Sequence, residues 1–458
     1  MPDRPGRRVA IVGGGIAGLA AAHALLTGGD PPEVVVFEAD GRVGGKLLTS
    51  PFAGHTAIDE GPDAFLARLP WGTALARTVG LESSLVSPAA GKAAVWWNQL
   101  HDIPQGLLLG MPTDVMALAK SKLIGWGGKL RAATEPFRPR TSIEPDSLGA
   151  YVRARFGSEV HVRLVDPLVG SIYAADTDHF SVAAVPQIFD LASTSRSVLI
   201  AGRRMPKPSP DAGPVFYAPR GGMGALATAT ADAVRAAGGT IRLDARVSEL
   251  AADGDGWRVD GEHFDGVILA SPAKPTAPLL APVAPEVSAA VAAIPAADVA
   301  MVTIAVDRAD WPSHLTALSG YLVPKPMQRL VTAASFGSQK WTHWADGDSI
   351  ILRISLGRDG LPVLHLSDEQ LLGAAVDEVG HHLGLGLQPR HARVSRWSGA
   401  FPQYRPHHAV VVAEAERHLP AGLALAGASY HGIGVPACIR SAQAAANVLR
   451  DHLHSLSE

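Results

Sequence analysis

The sequence predicts an α/β protein built on a parallel sheet, into which a mixed α+β domain and a mostly helical lobe are inserted. Three observations predict this class. The apolar run 9–12 leads into a glycine-rich turn and an alanine-rich helix, and a second β run follows at 34–37. Residues 94–215 have mainly helical periodicity, whereas residues 276–397 alternate strands and helices. Buried runs return near the end of the chain, so the first and last segments are predicted to share one domain.

Length and composition exclude several classes of protein. With 458 residues, 47% of them apolar and 18% charged, the chain is neither disordered nor a coiled coil and is long enough for about three domains. The net charge of −3 provides no overall basic field for nucleic acid. The lone Cys438 excludes an internal disulfide and a cysteine-cluster metal site. The apolar stretch 9–26 is interrupted by glycines and His23, so it predicts no membrane span, and we expect a cytoplasmic protein.

The chain begins as a strand–helix–strand unit. The strand 9–12 is continuous and apolar, as in a strand that is buried on both faces. The helix after it reaches about Thr27, where Gly28-Gly29 ends it and Pro31-Pro32 prevents its continuation. The run 34–37 is the second strand. This arrangement is typical of a Rossmann-like, dinucleotide-binding fold.

The remaining elements follow from periodicity and turn residues. In the helical lobe, helices are predicted at 113–133, 146–156 and 186–197, and a mobile loop at 202–214. A helix is then predicted at 225–237, and short strands at 241–243, Val247, 257–259 and 267–270 predict an antiparallel meander that returns to the first sheet. In the α+β part, strands are predicted at 299–306, 349–356 and 393–397, with a helix at 366–385. The chain is predicted to end with a strand at 423–427 and a helix at 439–454.

These patterns divide the chain into three parts. The dinucleotide-binding domain is predicted to comprise residues 1–93, 216–275 and 398–458. The helical lobe is predicted at 94–215, and a substrate-binding α+β domain at 276–397. The two insertions therefore lie between segments of a single domain.

The glycine-rich turn is the first motif with chemical meaning. Gly13 permits the tight turn, Gly15 lets the backbone approach a pyrophosphate, and Gly18 lets the helix pack closely on the strand. The helix N-terminus adds free N–H groups and partial positive charge. Glu38 ends the second strand, where a carboxylate accepts hydrogen bonds from an adenosine ribose. These residues predict a dinucleotide site and disfavour NADP, whose 2′-phosphate the carboxylate would repel.

A second glycine-rich segment distinguishes a flavin site from a nicotinamide site. The run EADGRVGGK extends from Glu38 to Lys46, and the run DEGPD follows from Asp59 to Asp63. A nicotinamide fold does not need these loops, whereas a flavin dinucleotide that lies full length needs its far half cradled as well. Arg42 is predicted to neutralise pyrophosphate charge; the alternative is a solvated surface arginine.

The Glu-x-x-x-Arg-x-Gly-Gly-Lys run after the first glycine motif resembles the monoamine-oxidase-like FAD superfamily. PRGGMGAL from Pro219, WSGAFPQY from Trp397 and LAGASYHGIGVPACIRS from Leu425 narrow this resemblance to the protoporphyrinogen/coproporphyrinogen oxidase group. The resemblance implies the GR2, monoamine-oxidase-like fold with non-covalently bound FAD. The resemblance, together with the glycine motif and Glu38, implies a set of residues that contact FAD. These are Gly13, Gly14, Gly15, Ile16, Ala17, Gly18, Glu38, Ala39, Arg42, Gly45, Lys46, Gly61, Pro62, Asp63, Val247, Trp397, Gly427, Ile433, Gly434 and Val435.

The resemblance also implies a reaction. Porphyrinogens have saturated meso carbons between pyrroles, from which a flavin accepts hydride, so no catalytic acid or base is assigned. We expect oxidation of coproporphyrinogen III to coproporphyrin III in haem biosynthesis, with O2 as acceptor and hydrogen peroxide as product. Alternatives are a protoporphyrinogen IX oxidase, a flavin amine oxidase with a partial aromatic cage at Tyr430-His431, and a carotenoid desaturase. Glu38 and the second glycine loop argue against a flavin-free GDP-dissociation inhibitor.

Basic side chains, histidines and the cysteine are further candidates for binding or chemistry. Because the tetrapyrrole substrate carries propionates, basic side chains are candidates to attract it or an anionic lipid. The alternative is that they lie on solvated faces. The candidates are Lys120, Lys122, Lys129 and Arg131 on the predicted helix, and Arg203, Arg204 and Lys207 on the predicted loop.

Adjacent histidines at 381–382 and 407–408 point apart, so no metal site is predicted. Cys438 lies outside the usual flavin-tethering pattern and is expected to be buried and inert. Contacts with a membrane surface or with the next haem-pathway enzyme, and the oligomeric state, are left open.

Overall fold

A five-stranded parallel sheet organises the computed structural model, which describes residues 7–89, 91–205 and 213–456. Its strands lie in the spatial order Thr240–Arg242, Glu33–Phe37, Arg8–Val12, Gly266–Leu269 and Leu423–Leu425, and all four pairings are parallel. The carboxyl ends of parallel strands meet at one edge, where ligands of such sheets bind. The predicted α/β class is therefore confirmed, and the first and last segments of the chain share this sheet.

Alternate residues of the central strand pack into separate cores on the two faces of the parallel sheet. Val9 and Ile11 pack under the helices Ile16–Leu26, Met223–Ala236 and Val435–Ser455. Ala10 and Val12 face the other core. That face is covered by the strands Leu250–Asp253, Gly256–Val259 and Glu262–Phe264 and by the helices Ala273–Leu280, Pro285–Ala292 and His408–Arg417.

The predicted meander is wrong at both of its ends. Thr240–Arg242 follows a crossover helix and pairs parallel with Glu33–Phe37, as a strand–helix–strand connection requires. Gly266–Leu269 is buried at every position and pairs parallel with Arg8–Val12, as expected of a strand covered on both faces. Only the three strands between them form an antiparallel meander. Val247 lies in no strand.

A seven-stranded mixed sheet forms the second layer of the molecule. Its strands, in spatial order, are His391–Pro402, Ala296–Asp307, Ser349–Leu356, Val331–Phe336, Leu318–Leu322, Lys92–Trp96 and Leu100–Asp102. The helix Asp368–Leu383 packs on it and begins with a capping box formed by Ser367 and Gln370. The predicted strand 349–356 is confirmed, whereas 393–397 is the middle of a strand of 12 residues.

The strands cross two of the predicted domain boundaries. Lys92–Trp96 pairs parallel with Leu318–Leu322, and Leu100–Asp102 pairs with Lys92–Trp96. Residues 94–102 therefore belong to the mixed sheet and not to the helical lobe, because their backbone hydrogen bonds are made there. The strand His391–Pro402 also crosses the predicted boundary at residue 398. The rest of the three-part division stays a prediction.

The helical lobe differs from the prediction in two places. The single helix expected at 113–133 is two helices, Val115–Lys120 and Trp126–Ala133, because Ser121 and Gly125 adopt extended backbone and turn Leu123 and Ile124 into the core. Gly202, Arg203 and Arg204 are helical and not in a loop, since Ser197 caps a further helix, Val198–Arg204. Lys207 and the rest of segment 206–212 lie outside the described residues. The other helices of the lobe are Leu148–Phe156, Ser158–Val160, the π-helical turn His161–Val165, Asp166–Tyr173 and Pro186–Thr194.

Candidate cofactor site

The first glycine turn leaves open space above a helix N-terminus. Gly13 has a φ of +111°, and a Cβ there would lie 3.0 Å from the backbone of Ser271. A Cβ on Gly18 would lie 1.8 Å from the carbonyl oxygen of Gly13, so the helix packs directly on the turn. A Cβ on Gly15 would meet nothing within 4 Å, and no side chain caps this helix end. The unpaired N–H groups of the first helical turn therefore have room for an anion such as a pyrophosphate.

Glu38 lies beside this turn with a fixed orientation. Its side chain is nearly buried, and one carboxylate oxygen accepts a hydrogen bond from Gly14 N at 2.7 Å. The other oxygen accepts one from Asp40 N at 2.9 Å. Each oxygen keeps a further lone pair for a hydroxyl donor. The carboxylate is thus held at the edge of the sheet where the sequence predicts ribose binding.

The second glycine loop lies directly against the first. Gly44 N donates to Gly14 O at 2.8 Å, and a Cβ on Gly45 would lie 3.3 Å from the Cα of Gly15. Both Gly44 and Gly45 have positive φ, at +101° and +54°. Arg42 holds the loop, because its guanidinium donates to Gly45 O at 2.7 Å. The structure thus brings the two predicted loops together, while the pairing of Arg42 with a pyrophosphate stays a prediction.

A third segment joins this loop to the seven-stranded sheet. A Cβ on Gly61 would lie 2.3 Å from the carbonyl oxygen of Lys46, so these two backbones are in close contact. Trp397 donates from Nε1 to Glu60 O at 3.0 Å. Lys46, Gly61 and Trp397, which are far apart in sequence, therefore lie in one place. Pro62 is exposed beside them.

Asp63 makes charged contacts that the sequence did not reveal. Lys340 Nζ lies 2.8 Å and Arg353 Nη1 3.3 Å from its carboxylate, and Trp341 Nε1 donates to it at 3.1 Å. Burial alone would raise the pKa of Asp63, but the two cations hold it well below its usual range. Its side chain thus anchors the loop to the sheet, and the predicted contact of Asp63 with the cofactor stays a prediction. Lys340 and Arg353 carry no local motif, since only the tertiary fold brings them to this loop.

The end of the chain supplies a second helix N-terminus at the same edge. Gly434 precedes the helix Val435–Ser455, and no side chain caps that end. Gly427, with a φ of +108°, donates from N to Ser441 Oγ at 2.9 Å, and a Cβ on it would lie 3.5 Å from that of Ala17. Ile433 is half-buried beside Gly434. Two uncapped helix ends, each preceded by glycine, therefore flank the glycine loops.

The remaining predicted FAD contacts lie around this core. Ile16 and Ala17 begin the first helix and are buried, whereas Ala39 and Val247 are half-buried. Val247 packs against the core beneath the parallel sheet. Ala39 follows Glu38 directly in the chain. Binding of adenine by the Val247 backbone stays a prediction.

Cys438 is buried and Lys46 is half-buried, and the two side chains are close enough for their charges to interact. Burial raises the pKa of the Cys438 thiol to about 11. Burial also lowers the pKa of the Lys46 ammonium, whose charge the thiolate form would stabilise. A thiol that keeps its proton is a poor nucleophile.

The partial aromatic cage considered for an amine oxidase is not formed. Tyr430 is only 2% exposed and packs in the core beneath the parallel sheet. His431 Nε2 lies 2.6 Å from the carboxylate of Glu416. The two side chains therefore have other partners and do not form a pair of rings facing a substrate.

The predicted basic side chains are dispersed. Lys120 and Lys122 are exposed, Lys129 Nζ lies 4.8 Å from the ring centre of Trp126, and Arg131 donates to Ala154 O at 2.8 Å. Arg203 and Arg204 are exposed at the end of their helix. In the described part of the chain, no group of three or more His, Cys, Asp or Glu side chains is placed to hold a metal ion. Nor does any helix within it have the length and apolarity needed to cross a membrane.

Two glycine loops, an oriented carboxylate and two uncapped helix ends at one edge of a parallel sheet are the features of a dinucleotide-binding protein. Residues 16–450 match the family described as flavin containing amine oxidoreductase, and the chain belongs to that family, which implies a flavin cofactor.

Relatives of the chain cover nearly its whole length. It is 34% identical over 446 residues to the coproporphyrinogen III oxidase of Mycobacterium tuberculosis (strain ATCC 25618 / H37Rv), which is 95% of this chain and 96% of that protein. It is 30% identical over 487 residues to the protoporphyrinogen oxidase of Homo sapiens, which is 97% of this chain and 98% of that protein. A solved structure from Exiguobacterium sp. 255-15, described as a candidate protoporphyrinogen oxidase, superposes with a TM-score of 0.85 at 29% identity, over 98% of this chain and 99% of that chain.

Proposed function

We propose that this protein is an FAD-dependent oxidase that converts coproporphyrinogen III to coproporphyrin III, with O2 as acceptor and hydrogen peroxide as product. The observation that carries the proposal is the meeting of the two glycine loops at the N-terminus of the first helix, with Glu38 held beside them. Support for the substrate comes from the relatives named coproporphyrinogen III oxidase, which are similar over nearly the whole chain.

The residues at this edge fit a full-length flavin dinucleotide. The open space at the uncapped helix end at Gly15 suits its pyrophosphate, and the uncapped helix end at Gly434 would lie near the flavin ring. Glu38 has acceptor capacity for a ribose hydroxyl, and Trp397 and Gly61 would border the flavin half. Bound FAD would supply a hydride acceptor for a meso carbon of the porphyrinogen. The protein's part is to bind and orient both molecules, and no acid or base residue is assigned.

The first test uses both porphyrinogens without oxygen. Purified holoprotein should be yellow, and its flavin absorbance should bleach on mixing with coproporphyrinogen III. Admitting O2 should restore the colour with formation of coproporphyrin III and hydrogen peroxide. Bleaching by protoporphyrinogen IX alone would favour the alternative substrate, and bleaching by neither would contradict the proposal.

The FAD is proposed to be bound without a covalent link. The protonated, buried thiol of Cys438 supports this, because a tether needs a nucleophile. Acid precipitation should therefore leave all the flavin in the supernatant. Yellow colour that stays in the washed pellet would contradict non-covalent binding.

We further propose a cytoplasmic protein with a peripheral membrane contact through the helical lobe. Trp126 and Phe137 are 82% and 86% exposed in that lobe, and Lys120 and Lys122, which precede Trp126 in the chain, are exposed too. Aromatic and basic side chains together favour an anionic membrane surface. Cosedimentation with anionic vesicles, lost on Trp126→Ala, is the expected result; equal cosedimentation of parent and variant would contradict this contact.

A further inference from the structure

A polar cleft separates the helix Asp166–Tyr173 from the seven-stranded sheet. The side chains that matter in its lining are Asp166 and Ser171 on the helix side and Gln328, Thr332, Arg358 and Phe401 on the sheet side. None of these residues belongs to the predicted cofactor site.

The cleft adjoins the candidate cofactor site along one strand. Phe401 and Trp397 pack against the same small core, which includes Ala174. They are four residues apart on the strand His391–Pro402, and so about 13 Å apart at the usual rise per residue. Trp397 in turn contacts the loop at Glu60. A flat substrate that lies along this strand from the flavin side would therefore have its far edge at the cleft.

Arg358 is an oriented cation in this cleft. Its Nε donates to Gln328 Oε1 at 2.7 Å, and its Nη1 donates to the carbonyl oxygen of Asp359 at 2.6 Å. These bonds fix the guanidinium plane and leave Nη2 as a donor. Among the described residues, no carboxylate lies within ion-pair distance of Arg358, although several acidic residues are near. Their carboxylates have other partners: Asp359 pairs with Arg405 at 2.6 Å and Asp176 with Lys325 at 2.5 Å.

Asp166 gives the cleft an acceptor as well as a cation. One of its oxygens accepts the hydroxyl of Thr177 at 2.5 Å, and that hydroxyl also contacts His161 Nε2 at 2.9 Å. Hydroxyl groups of Ser171 and Thr332 lie in the same lining. The carboxylate of Asp166 thus has a partner of its own, and Arg358 is the cation that the cleft lining offers to the carboxylate arm of a tetrapyrrole.

We propose that this cleft receives one carboxylate arm of the porphyrinogen and that Arg358 binds that arm. The inference rests on the proposed function and adds a specificity-determining residue to it. A planar guanidinium with a free edge binds a carboxylate with geometric selectivity. Gln328 acts as a positioning residue, because its contact is with Arg358 and not with the substrate.

The test compares binding of coproporphyrin III, followed by fluorescence, in Arg358→Gln and in the parent holoprotein. The variant should bind it about tenfold more weakly, as expected when a hydrogen-bonded charge partner is lost. The KM for coproporphyrinogen III should rise in the same way, with kcat within about twofold, because chemistry at the flavin is untouched. Arg358→Lys, which keeps the charge without the fork, should lie between.

The matched control is Arg390→Gln, since Arg390 is an exposed arginine directly before the strand His391–Pro402 and pairs with Asp307. It should bind coproporphyrin III like the parent. FAD content and melting temperature, equal in all variants, would show that the fold is intact. If the parent binds the porphyrin and Arg358→Gln binds it equally well, the cleft proposal is overturned and the proposed function stands. If the parent itself neither binds nor oxidises the tetrapyrrole, both fail.

Discussion

Glu38 sets the geometry of the cofactor site at the scale of one residue. Two backbone N–H groups hold its carboxylate beside the glycine turn. The turn leaves space only where the motif needs it: a Cβ is excluded at Gly18 and unopposed at Gly15. The two glycines of this motif therefore act differently: Gly18 allows the helix to pack closely on the turn, and Gly15 leaves space for a ligand.

Glu38→Gln should weaken FAD binding by about 1–3 kcal/mol, the usual cost of losing a charge-assisted hydrogen bond with a buried partner. The measurement is titration of apoprotein with FAD. Glu33→Gln is the control, because Glu33 is an exposed glutamate on the same strand. Equal affinities of parent and Glu38→Gln would contradict ribose binding by this residue.

Gly15→Val should lower FAD content at least tenfold with little loss of folding stability, because the side chain would occupy open space meant for phosphate. Gly29→Val, at a second position where a Cβ meets nothing within 4 Å, should change neither property. Flavin content after purification and the melting temperature of the apoprotein test this. A Gly15→Val variant with full flavin content would show that the dinucleotide lies elsewhere.

At the scale of elements, the helix Met223–Ala236 is capped by residues outside it. Met223 N donates to Asp59 Oδ1 at 2.7 Å, and Gly224 N donates to Thr49 Oγ1 at 2.8 Å. The hairpin Thr49–Phe52/His55–Asp59 thus takes the place of a side-chain cap within the helix. Motif analysis could not reveal this, because cap and helix are more than 160 residues apart.

Burial raises the pKa of Asp59 to about 6. The folded protein therefore keeps a proton that the unfolded chain loses near pH 4, so this group lowers the free energy of unfolding as the pH rises from about 4 to about 6. Asp59→Asn keeps the cap acceptor without the charge. At pH 7 it should be more stable than the parent by on the order of 2–3 kcal/mol, and the difference should vanish below pH 4.

Denaturant unfolding of parent and Asp59→Asn between pH 3.5 and 7.5 measures this difference. Asp232→Asn is the control, because Asp232 is exposed on the same helix and pairs with Arg235. A constant difference between parent and Asp59→Asn across the pH range would mean that the carboxyl is not the titrating group.

There are physical reasons why some elements could not be predicted from the sequence. The apolar periodicity at 113–133 predicted a single helix, although Gly125, Gly127 and Gly128 are unfavourable inside a helix. In the structure these glycines lie at the start of a second helix. The strand Lys92–Trp96 was missed although residues 93–97 are all apolar, because periodicity alone cannot tell such a short apolar run from part of a buried helix. By contrast, a strand covered on both faces, such as Arg8–Val12, can be recognised in the sequence because positions 9–12 are all apolar.

At the scale of the molecule, the fold class and the glycine loops could be predicted, but the contacts between domains could not. The ion pairs of Asp63 with Lys340 and Arg353 join segments almost 300 residues apart. The same holds for Arg358, which reaches its cleft only through the packing of sheet on helix. Local sequence motifs therefore predict the backbone segments that lie near a cofactor. The side chains proposed to select the substrate come together only in the tertiary structure, so a motif does not reveal them.

Coproporphyrinogen III, with four propionates, should be preferred over protoporphyrinogen IX, with two, and the preference should shrink as salt rises because screening weakens carboxylate attraction. Part of it should come from Lys120 and Lys122, which are exposed, at about 1 kcal/mol or less each. The ratio of kcat/KM values at low and high salt measures this. A preference for protoporphyrinogen, or one indifferent to salt, would contradict it.

Activity should need no metal ion. The described residues contain no cluster with ligand spacing, and the reaction needs only the flavin and O2. Turnover after dialysis against a chelator should equal that of the untreated enzyme. Loss of turnover that a divalent metal restores would refute this.

The order of strands in the parallel sheet has a consequence for synthesis on the ribosome. Arg8–Val12 and Glu33–Phe37 emerge first, but the central pairing of Arg8–Val12 needs Gly266–Leu269, which in turn pairs with Leu423–Leu425. At about 5–20 residues per second, the first strand waits tens of seconds for its neighbour. During that time its unpaired edge is open to pairing with other chains, which is an aggregation hazard. The proposed cofactor site includes the helix end at Gly434, so we expect the site to be complete, and the flavin to be loaded, only after that segment has been made.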